Sequence, residues 1–167
     1  MTIAVYPGSF DPITNGHLDI ATRASRLFEK VIIGVYDTPA KNLLFNTQER
    51  VDLIQASIVH LPNVEVRTFI GLTVDFARHM NARAIVRGLR AMTDFENEFQ
   101  MAIMNKKLSP DIEVVCLMSS LKFQFLSASL LKEVANLGGD IDDLVPKPVL
   151  EALRKRIILR SSSLKKL

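Results

Sequence analysis

The chain has 167 residues, of which 48% are hydrophobic and 23% are charged, with one cysteine and no tryptophan. This composition is too apolar for a disordered chain, and the length suits one domain with a sizeable core. A single cysteine excludes a disulfide framework and fits a reducing compartment, so we expect a cytoplasmic protein. The longest apolar runs fall far short of the ~20 residues that a membrane span needs, and no signal peptide is visible.

The net charge of +3 belongs to the C-terminal end of the chain. Six Lys and Arg residues follow Leu150, against one acid, Glu151, whereas the preceding residues carry 15 Lys and Arg against 17 Asp and Glu. We therefore expect neither a nucleic-acid partner nor a membrane for the body of the protein. Residues 159–167 are predicted to be a poorly ordered basic tail that follows one domain spanning residues 1–158.

Short apolar runs alternate with segments of helical periodicity. Five runs rich in Val and Ile predict strands covered on both faces: Ile3 to Tyr6, Val31 to Tyr36, Val64 to Phe69, Ala84 to Arg87 and Ile112 to Met118. A first helix is expected to begin at Asn15 or Gly16, and later helices are predicted from N-caps at Thr47, Thr93 and Ser127 and from Pro146 with Pro148. The alternation predicts an α/β fold, a doubly wound, Rossmann-like, five-stranded parallel sheet with helices on both faces.

In such a sheet, ligands bind beyond the carboxyl ends of the strands. The segments that follow the predicted strands carry hydroxyl and cationic side chains, and they meet at one edge: residues 7–17, Lys41, residues 71–73, residues 87–90 and residues 123–129. His60 and His79 come at the far ends of helices and are expected at the opposite edge. His17 is then the histidine placed to act.

The segment after the first strand, Pro7-Gly8-Ser9-Phe10-Asp11-Pro12-Ile13-Thr14-Asn15-Gly16-His17, is the most informative. Pro7-Gly8 and Asp11-Pro12 predict turns ahead of the helix. The free N–H groups at the start of that helix would bind phosphate, and the His17 imidazole would add a donor. The alternative is that His17 only caps or packs the turn.

Arg87-Gly88-Leu89-Arg90 places two guanidinium groups at the end of the fourth strand, where they suit bidentate binding of phosphate oxygens. A structural ion pair with Asp94 or Glu96 is the alternative. The sequence has neither a GxxxxGK[ST] loop nor a GxGxxG fingerprint, which disfavours P-loop and dehydrogenase functions. It also has no HExxH-type metal motif, so any Mg²⁺ would arrive on substrate phosphates.

The remaining notable residues have simpler interpretations. Cys116 lies inside an apolar strand and is predicted to be a buried small hydrophobic residue. Four large apolar residues of the segment after Arg90 are predicted to be core or subunit-contact residues: Phe95, Phe99, Met101 and Met104.

Taken together, these segments resemble a known family. Tyr6 to Pro12 followed by Thr14-Asn15-Gly16-His17 is similar to the signature of nucleotidyltransferases with a T/HxGH motif. Arg87 to Arg90, Asp94-Phe95-Glu96 and the serine-rich stretch from Leu126 to Lys132 narrow the resemblance to the phosphopantetheine adenylyltransferase family. The likeness covers nearly all of residues 1–158.

The resemblance implies transfer of AMP from ATP to 4′-phosphopantetheine by direct in-line attack of the acceptor phosphate on the α-phosphate, giving dephospho-coenzyme A and pyrophosphate. His17, Lys41 and Arg90 would be catalytic, and Ser9, Lys41, Thr73 and Arg87 would bind the acceptor. ATP would be bound by Ser9, Phe10, His17, Gly88, Leu89, Arg90, Glu98, Phe123, Gln124, Phe125, Leu126, Ser127, Ala128 and Ser129. The resemblance also implies Mg²⁺ carried by ATP, a homohexamer, and coenzyme A as a possible feedback ligand.

Two other functions remain open from the sequence. The same chemistry could act on another acceptor, such as nicotinate mononucleotide or glycerol 3-phosphate, because motif spacing does not identify the acceptor. The chain could instead be a non-catalytic nucleotide sensor or RNA-binding protein that uses its basic tail.

Overall fold

The computed structural model describes residues 2–37, 43–90 and 92–164. Over these ranges the chain forms five strands and six α-helices in strict alternation until the last two helices, which follow one another. The strands are β1 (Ile3–Gly8), β2 (Lys30–Tyr36), β3 (Val64–Phe69), β4 (Ala84–Leu89) and β5 (Glu113–Met118). The helices are α1 (Asn15–Leu27), α2 (Thr47–Ser57), α3 (Thr73–His79), α4 (Met92–Leu108), α5 (Ala128–Asn136) and α6 (Lys147–Leu164).

All five strands pair in parallel, in the order β3-β2-β1-β4-β5. This order confirms the predicted doubly wound, Rossmann-like sheet. The direction in which successive strands are added reverses at β1, so the crevice between the carboxyl ends of β1 and β4 is the topological switch point. Pro7 and Gly8 are the last two residues of β1. The turn predicted at these two residues is therefore wrong, because the chain leaves the sheet only after Gly8.

The strands bury side chains on both faces, since successive residues point to opposite sides of a sheet. Ala4 and Tyr6 belong to the larger core, which α1, α2, α5 and α6 cover, whereas Val5 belongs to a second core beneath α3. In the same way, Ile33 belongs to the larger core and Ile32 to the second core. The continuous apolar runs in β1 and β2 follow from this burial on both sides.

Two predicted helix starts are wrong by one or two residues. The N-cap of α2 is Asn46, whose side chain accepts the Glu49 N–H at 2.9 Å while the Glu49 carboxylate accepts the Asn46 N–H at 2.8 Å. This reciprocal capping box leaves Thr47 as the first helical residue. Thr93 is already inside α4, which begins at Met92, so it does not have the non-helical backbone of a cap. Ser127 caps α5 as predicted, accepting the Leu130 N–H.

The prediction that Cys116 is buried is wrong. β5 is an edge strand whose residues are only partly covered, and Cys116 is exposed. Cys116 aligns with Arg87 of β4 and Met118 aligns with Leu89, and Met118 is also exposed. An apolar run therefore does not require burial on both faces when the strand lies at the edge of the sheet.

The C-terminal helix α6 packs Val149 and Leu153 into the larger core, and its backbone is helical through Leu164. It thus includes the first six residues of the predicted tail, while residues 165–167 lie outside the described structure. In the described ranges no helix combines the length and apolar character needed to cross a lipid bilayer.

Candidate active site

A cavity of about 470 Å³, which we call the basic cavity, lies at the switch point. The loop after β1, the first turn of α1, the end of β4 and the segment before α5 border it. Most predicted site residues line this cavity: Ser9, Phe10, His17, Arg87, Gly88, Arg90, Glu98, Phe123, Leu126, Ser127, Ala128 and Ser129. The structure therefore brings together segments that are far apart in sequence, as the fold prediction required.

A second cavity of about 550 Å³, which we call the apolar cavity, lies on the other side of Arg87. Thr73, predicted to bind the acceptor, lines it. Most of its other side chains are apolar: Phe69, Leu72, Ile85, Met101, Met104, Leu108 and Val114. The two cavities share a wall that consists of Pro7, Gly8, Ser9, Arg87 and Glu98.

Four predicted site residues are not placed on either cavity. Leu89 is buried, with 5% of its surface exposed, whereas Gln124 and Phe125 point to solvent, Phe125 being 61% exposed. The side chains of these three residues line neither cavity. Lys41 lies outside the described residues. The binding roles given to these four residues stay predictions.

His17 is in the first turn of α1, as predicted, and its ring is fixed by the residue that caps the helix. Thr14 is the N-cap; its backbone N–H donates to His17 Nδ1 at 3.1 Å, and its hydroxyl accepts the His17 N–H at 3.3 Å. Because Nδ1 accepts a hydrogen bond, the proton of the neutral ring is on Nε2. The Phe10 ring packs against the imidazole at a centroid distance of 5.2 Å. His17 therefore takes part in the capping box of α1 and also lines the cavity, and its binding of phosphate stays a prediction.

The electrostatics of the site keep this imidazole neutral. Burial, together with the positive charges of Arg90 and Arg87, lowers the pKa of His17 from 6.5 to about 4. A neutral imidazole with its proton on Nε2 is a hydrogen-bond donor near neutral pH. His17 can thus donate to a phosphoryl oxygen without first taking up a proton.

Arg87 is held in the wall between the cavities by three hydrogen bonds. Its Nε and Nη2 donate to the two Glu98 carboxylate oxygens at 2.6 and 2.5 Å, and its Nη1 donates to the Pro7 carbonyl at 3.0 Å. Burial alone would favour a neutral guanidine, but the hydrogen bonds and charge of Glu98 outweigh it and raise the pKa of Arg87. The ion pair of Arg87 is formed with Glu98; the side chain of Asp94 lies outside the described structure.

Two further arginines fix the loops around the basic cavity. Arg90 donates to the carbonyl of Leu126 at 2.9 Å and thereby ties the end of β4 to the segment before α5. Arg50 of α2 is completely buried, and its Nη1 donates to the Ser9 carbonyl at 2.6 Å and to the Tyr36 carbonyl at 3.0 Å. Ser9 is thus positioned by a buried guanidinium from another helix.

Several residues of the site are not predicted from the sequence. Arg50 carries no signal there. Asp11 and Lys132 line the basic cavity, where they form an ion pair at 2.7 Å although 121 positions separate them in the chain. Nothing in the spacing of Asp11 and Lys132 indicates such a contact. For Thr14 the sequence does offer a signal, because a threonine directly before the first helical residue is a preferred N-cap.

Comparison with known proteins agrees with this arrangement. The family described as Cytidylyltransferase-like matches residues 5–134. A phosphopantetheine adenylyltransferase from Roseiflexus sp. (strain RS-1) is 58% identical over 155 residues, covering 93% of this chain and 97% of that protein. One from Clostridium tetani is 54% identical over 156 residues, with 93% and 98% covered. The chain belongs to the phosphopantetheine adenylyltransferase family.

Solved structures support the fold of this nucleotidyltransferase. A putative nicotinate-nucleotide adenylyltransferase from Vibrio parahaemolyticus superposes with a TM-score of 0.70 at 19% identity, covering 94% of this chain and 95% of that one. A bifunctional NMN adenylyltransferase/ADP ribose pyrophosphatase from Francisella tularensis gives a TM-score of 0.66 at 19% identity, covering 86% of this chain and 44% of that one. At this identity the likeness shows the fold alone.

The lowered pKa of His17 predicts a pH-dependent stability. Because the unfolded chain protonates this ring near pH 6.5 and the folded chain only near pH 4, the unfolded state binds the extra proton between these values. The contribution of His17 to the free energy of unfolding is therefore largest above about pH 6.5, and it decreases as the pH falls toward 4. Urea denaturation of the wild type and of His17→Asn at pH 7 and pH 4.5 measures it. The wild type should lose more stability than the variant over this interval; equal losses would contradict the lowered pKa.

Proposed function

We propose that this chain transfers AMP from ATP to 4′-phosphopantetheine, by direct attack of the acceptor phosphate on the α-phosphate of ATP, releasing dephospho-coenzyme A and pyrophosphate. The observation that carries the proposal is the pair of cavities with a common wall of Ser9, Arg87 and Glu98 among others. Two substrates bound on the two sides of this wall would bring their reacting phosphates together beside Arg87.

The basic cavity suits a nucleoside triphosphate. His17 and Arg90 supply donors from two sides, and the first turn of α5, where Ala128 and Ser129 line the cavity, supplies the backbone N–H groups of a helix N-terminus. In α1 the N–H groups of Asn15 and His17 already donate to the Leu144 carbonyl and the Thr14 hydroxyl. The hydroxyls of Ser127 and Ser129 stand at the start of α5. A polyanion would be bound here by positive charge and by a helix terminus, and no P-loop is needed.

The apolar cavity suits the long arm of phosphopantetheine. Phe69, Leu72 and Met101 give it an apolar lining, while Thr73 and Asn105 offer a few polar groups for amides of the arm. A nucleotide acceptor such as nicotinate mononucleotide would place a ribose and a charged ring against this surface. The lining therefore favours phosphopantetheine, in agreement with the names of the similar proteins.

The chemistry needs positioning and charge stabilisation more than it needs a base. The attacking phosphate monoester is already anionic near neutral pH, so no proton has to be removed from it. Its approach to the triphosphate is opposed by like charge, and Arg87, Arg90 and the His17 Nε2–H would offset that repulsion as charge develops at the α-phosphate. The resemblance implies that Lys41, which follows β2 in the sequence, would add a further cation.

Mg²⁺ would come with ATP and not from a protein site. Both carboxylates that line the basic cavity are already paired, Asp11 with Lys132 and Glu98 with Arg87. Among the described side chains no group of three or more His, Cys, Asp or Glu residues is arranged to hold a metal ion. These residues do not fit a protein-held magnesium, whereas triphosphate oxygens are its ordinary ligands.

The acceptor is identified by measuring pyrophosphate release from ATP and Mg²⁺ with each candidate in turn. We expect release with 4′-phosphopantetheine, and a kcat/KM at least about 100-fold lower with nicotinate mononucleotide or glycerol 3-phosphate, because neither fills the apolar cavity. Comparable rates with another acceptor would overturn the assignment. Coenzyme A carries both the pantetheine arm and an adenylate, and we propose that it competes for the same cavities as a feedback ligand. We also propose a cytoplasmic reaction, because a chain with one cysteine suits a reducing compartment.

Replacement of His17 tests its role in catalysis. His17→Ala should lower kcat by roughly 100- to 1,000-fold, equivalent to about 3–4 kcal/mol, because one donor to the transition state is lost. Affinity for ATP should change much less. His60→Ala is the matched control, since His60 is exposed at the opposite edge of the sheet. Unchanged turnover in His17→Ala would remove this residue from the mechanism.

We further propose that the active form is a homohexamer that covers the open face of α4. Phe95, Phe99 and Ile103 recur at intervals of four residues and are 49%, 55% and 57% exposed. Met101 and Met104, which are 54% and 51% exposed, line the apolar cavity. Residues predicted as core or subunit contacts are thus not core in the single chain. A row of half-exposed aromatic and aliphatic residues on one helix is typical of a subunit interface.

If the exposed face of α4 forms the subunit interface, a charge introduced there should weaken assembly of the hexamer. Phe99→Asp should shift the particle from six times the chain mass to smaller species, because buried aromatic anchors contribute about 2 kcal/mol or more to association. Light scattering coupled to gel filtration measures the mass. Val59→Asp serves as the control, since Val59 is 82% exposed and lies outside α4. A wild type that runs as a monomer would refute the hexamer.

A further inference from the structure

Asp11 is a buried carboxylate that lines the basic cavity. Only 3% of its surface is exposed, although it lies in the loop between β1 and α1. Its oxygens accept the backbone N–H groups of Leu44 and Phe45 at 2.9 to 3.0 Å and the ammonium group of Lys132 at 2.7 Å. A carboxylate this buried is stable only when it is paired and hydrogen-bonded, as it is here.

The partners of Asp11 come from two segments that both border the basic cavity. Leu44 and Phe45 follow Leu43, which lines this cavity. Lys132 is in α5, whose first residues and N-cap border the ATP side of the site. One carboxylate therefore connects residues 43–45, the loop after β1 and α5 around the site proposed for ATP.

The charge of the pair also matters for a polyanionic substrate. Lys132 is 24% exposed at its side chain and lines the basic cavity together with Asp11. Without Lys132, the Asp11 carboxylate would be an uncompensated negative charge in a buried site next to the triphosphate. With Lys132 in place the pair is neutral, so Asp11 does not repel a bound polyanion.

Resting on the proposed function, we propose that Asp11 and Lys132 are a positioning pair that holds residues 43–45 against α5 at the ATP side of the site and cancels the buried charge beside the triphosphate. Neither residue is required to touch the reacting atoms. The pair acts by fixing the positions of the groups that touch the reacting atoms. A displacement of about 1 Å in those groups is enough to reduce the rate severalfold or more.

The test is a double-mutant cycle of Asp11→Asn, Lys132→Met and the double variant, with pyrophosphate release for kinetics and calorimetry of a non-hydrolysable ATP analogue for binding. Lys132→Met should raise the ATP KM and weaken analogue binding by about 10-fold or more, because it leaves a buried charge unpaired. Asp11→Asn should chiefly lower kcat, because it loosens residues 43–45 and the loop after β1. The double variant should recover analogue binding to within about threefold of Asp11→Asn, since the uncompensated charge is gone.

Matched variants separate positioning from folding. Arg154→Met breaks the exposed ion pair of Arg154 with Asp142 and should leave both substrates unaffected, while Lys132→Arg should rescue much of the activity. Thermal unfolding of every variant shows how much protein is folded. If Lys132→Met weakens analogue binding equally with and without Asp11→Asn, Lys132 contacts the nucleotide directly and the proposal is wrong. Unchanged kinetics of folded variants would also overturn it.

The two proposals fail in different ways. A wild type that binds the ATP analogue but releases no pyrophosphate with 4′-phosphopantetheine refutes the proposed acceptor. The binding cycle does not use the acceptor, so it still decides whether Asp11 and Lys132 are coupled in the ATP site.

Discussion

Parallel pairing of β1 with β4 is the constraint on which the site depends. It brings the end of β1 next to residues 80 positions later, so that Arg87 can donate to the Pro7 carbonyl. The chain reaches β4 only after building β2 and β3 on the other side of β1. The loops that follow β1 and β4 therefore leave the sheet side by side, with no strand between them. Both cavities open from this junction.

The charges of the junction are arranged before any substrate arrives. Arg87 is fixed by Glu98, Lys132 by Asp11, and the His17 ring by the N–H of Thr14. Each of these groups has already lost part of its conformational freedom on folding, so binding a polyanion costs less ordering. The neutral His17 fits the same principle, because it donates a proton to a hydrogen bond without adding to the charge that must be desolvated.

Most of the fold follows from local patterns, and part of the site does not. The apolar runs of β1 and β2 and the cap at Ser127 predict their elements because each signal lies within a few residues. His17 is placed correctly because strand, turn and helix follow one another in sequence. The prediction that Cys116 is buried is wrong because the apolar run of β5 does not indicate that β5 is an edge strand. The contacts of Asp11 with Lys132 and of Arg50 with Ser9 depend on the tertiary fold, and no spacing in the sequence predicts them.

The wall between the two cavities is one layer of residues thick, since Ser9, Arg87 and Glu98 face both sides. A single molecule that carried an adenosine group at one end and a pantetheine-like arm at the other could bridge this layer. Its second half would then bind as an intramolecular event, at an effective concentration set by the linker and not by the solution. Covalently joined analogues of the two substrates should accordingly be far tighter inhibitors than either fragment alone.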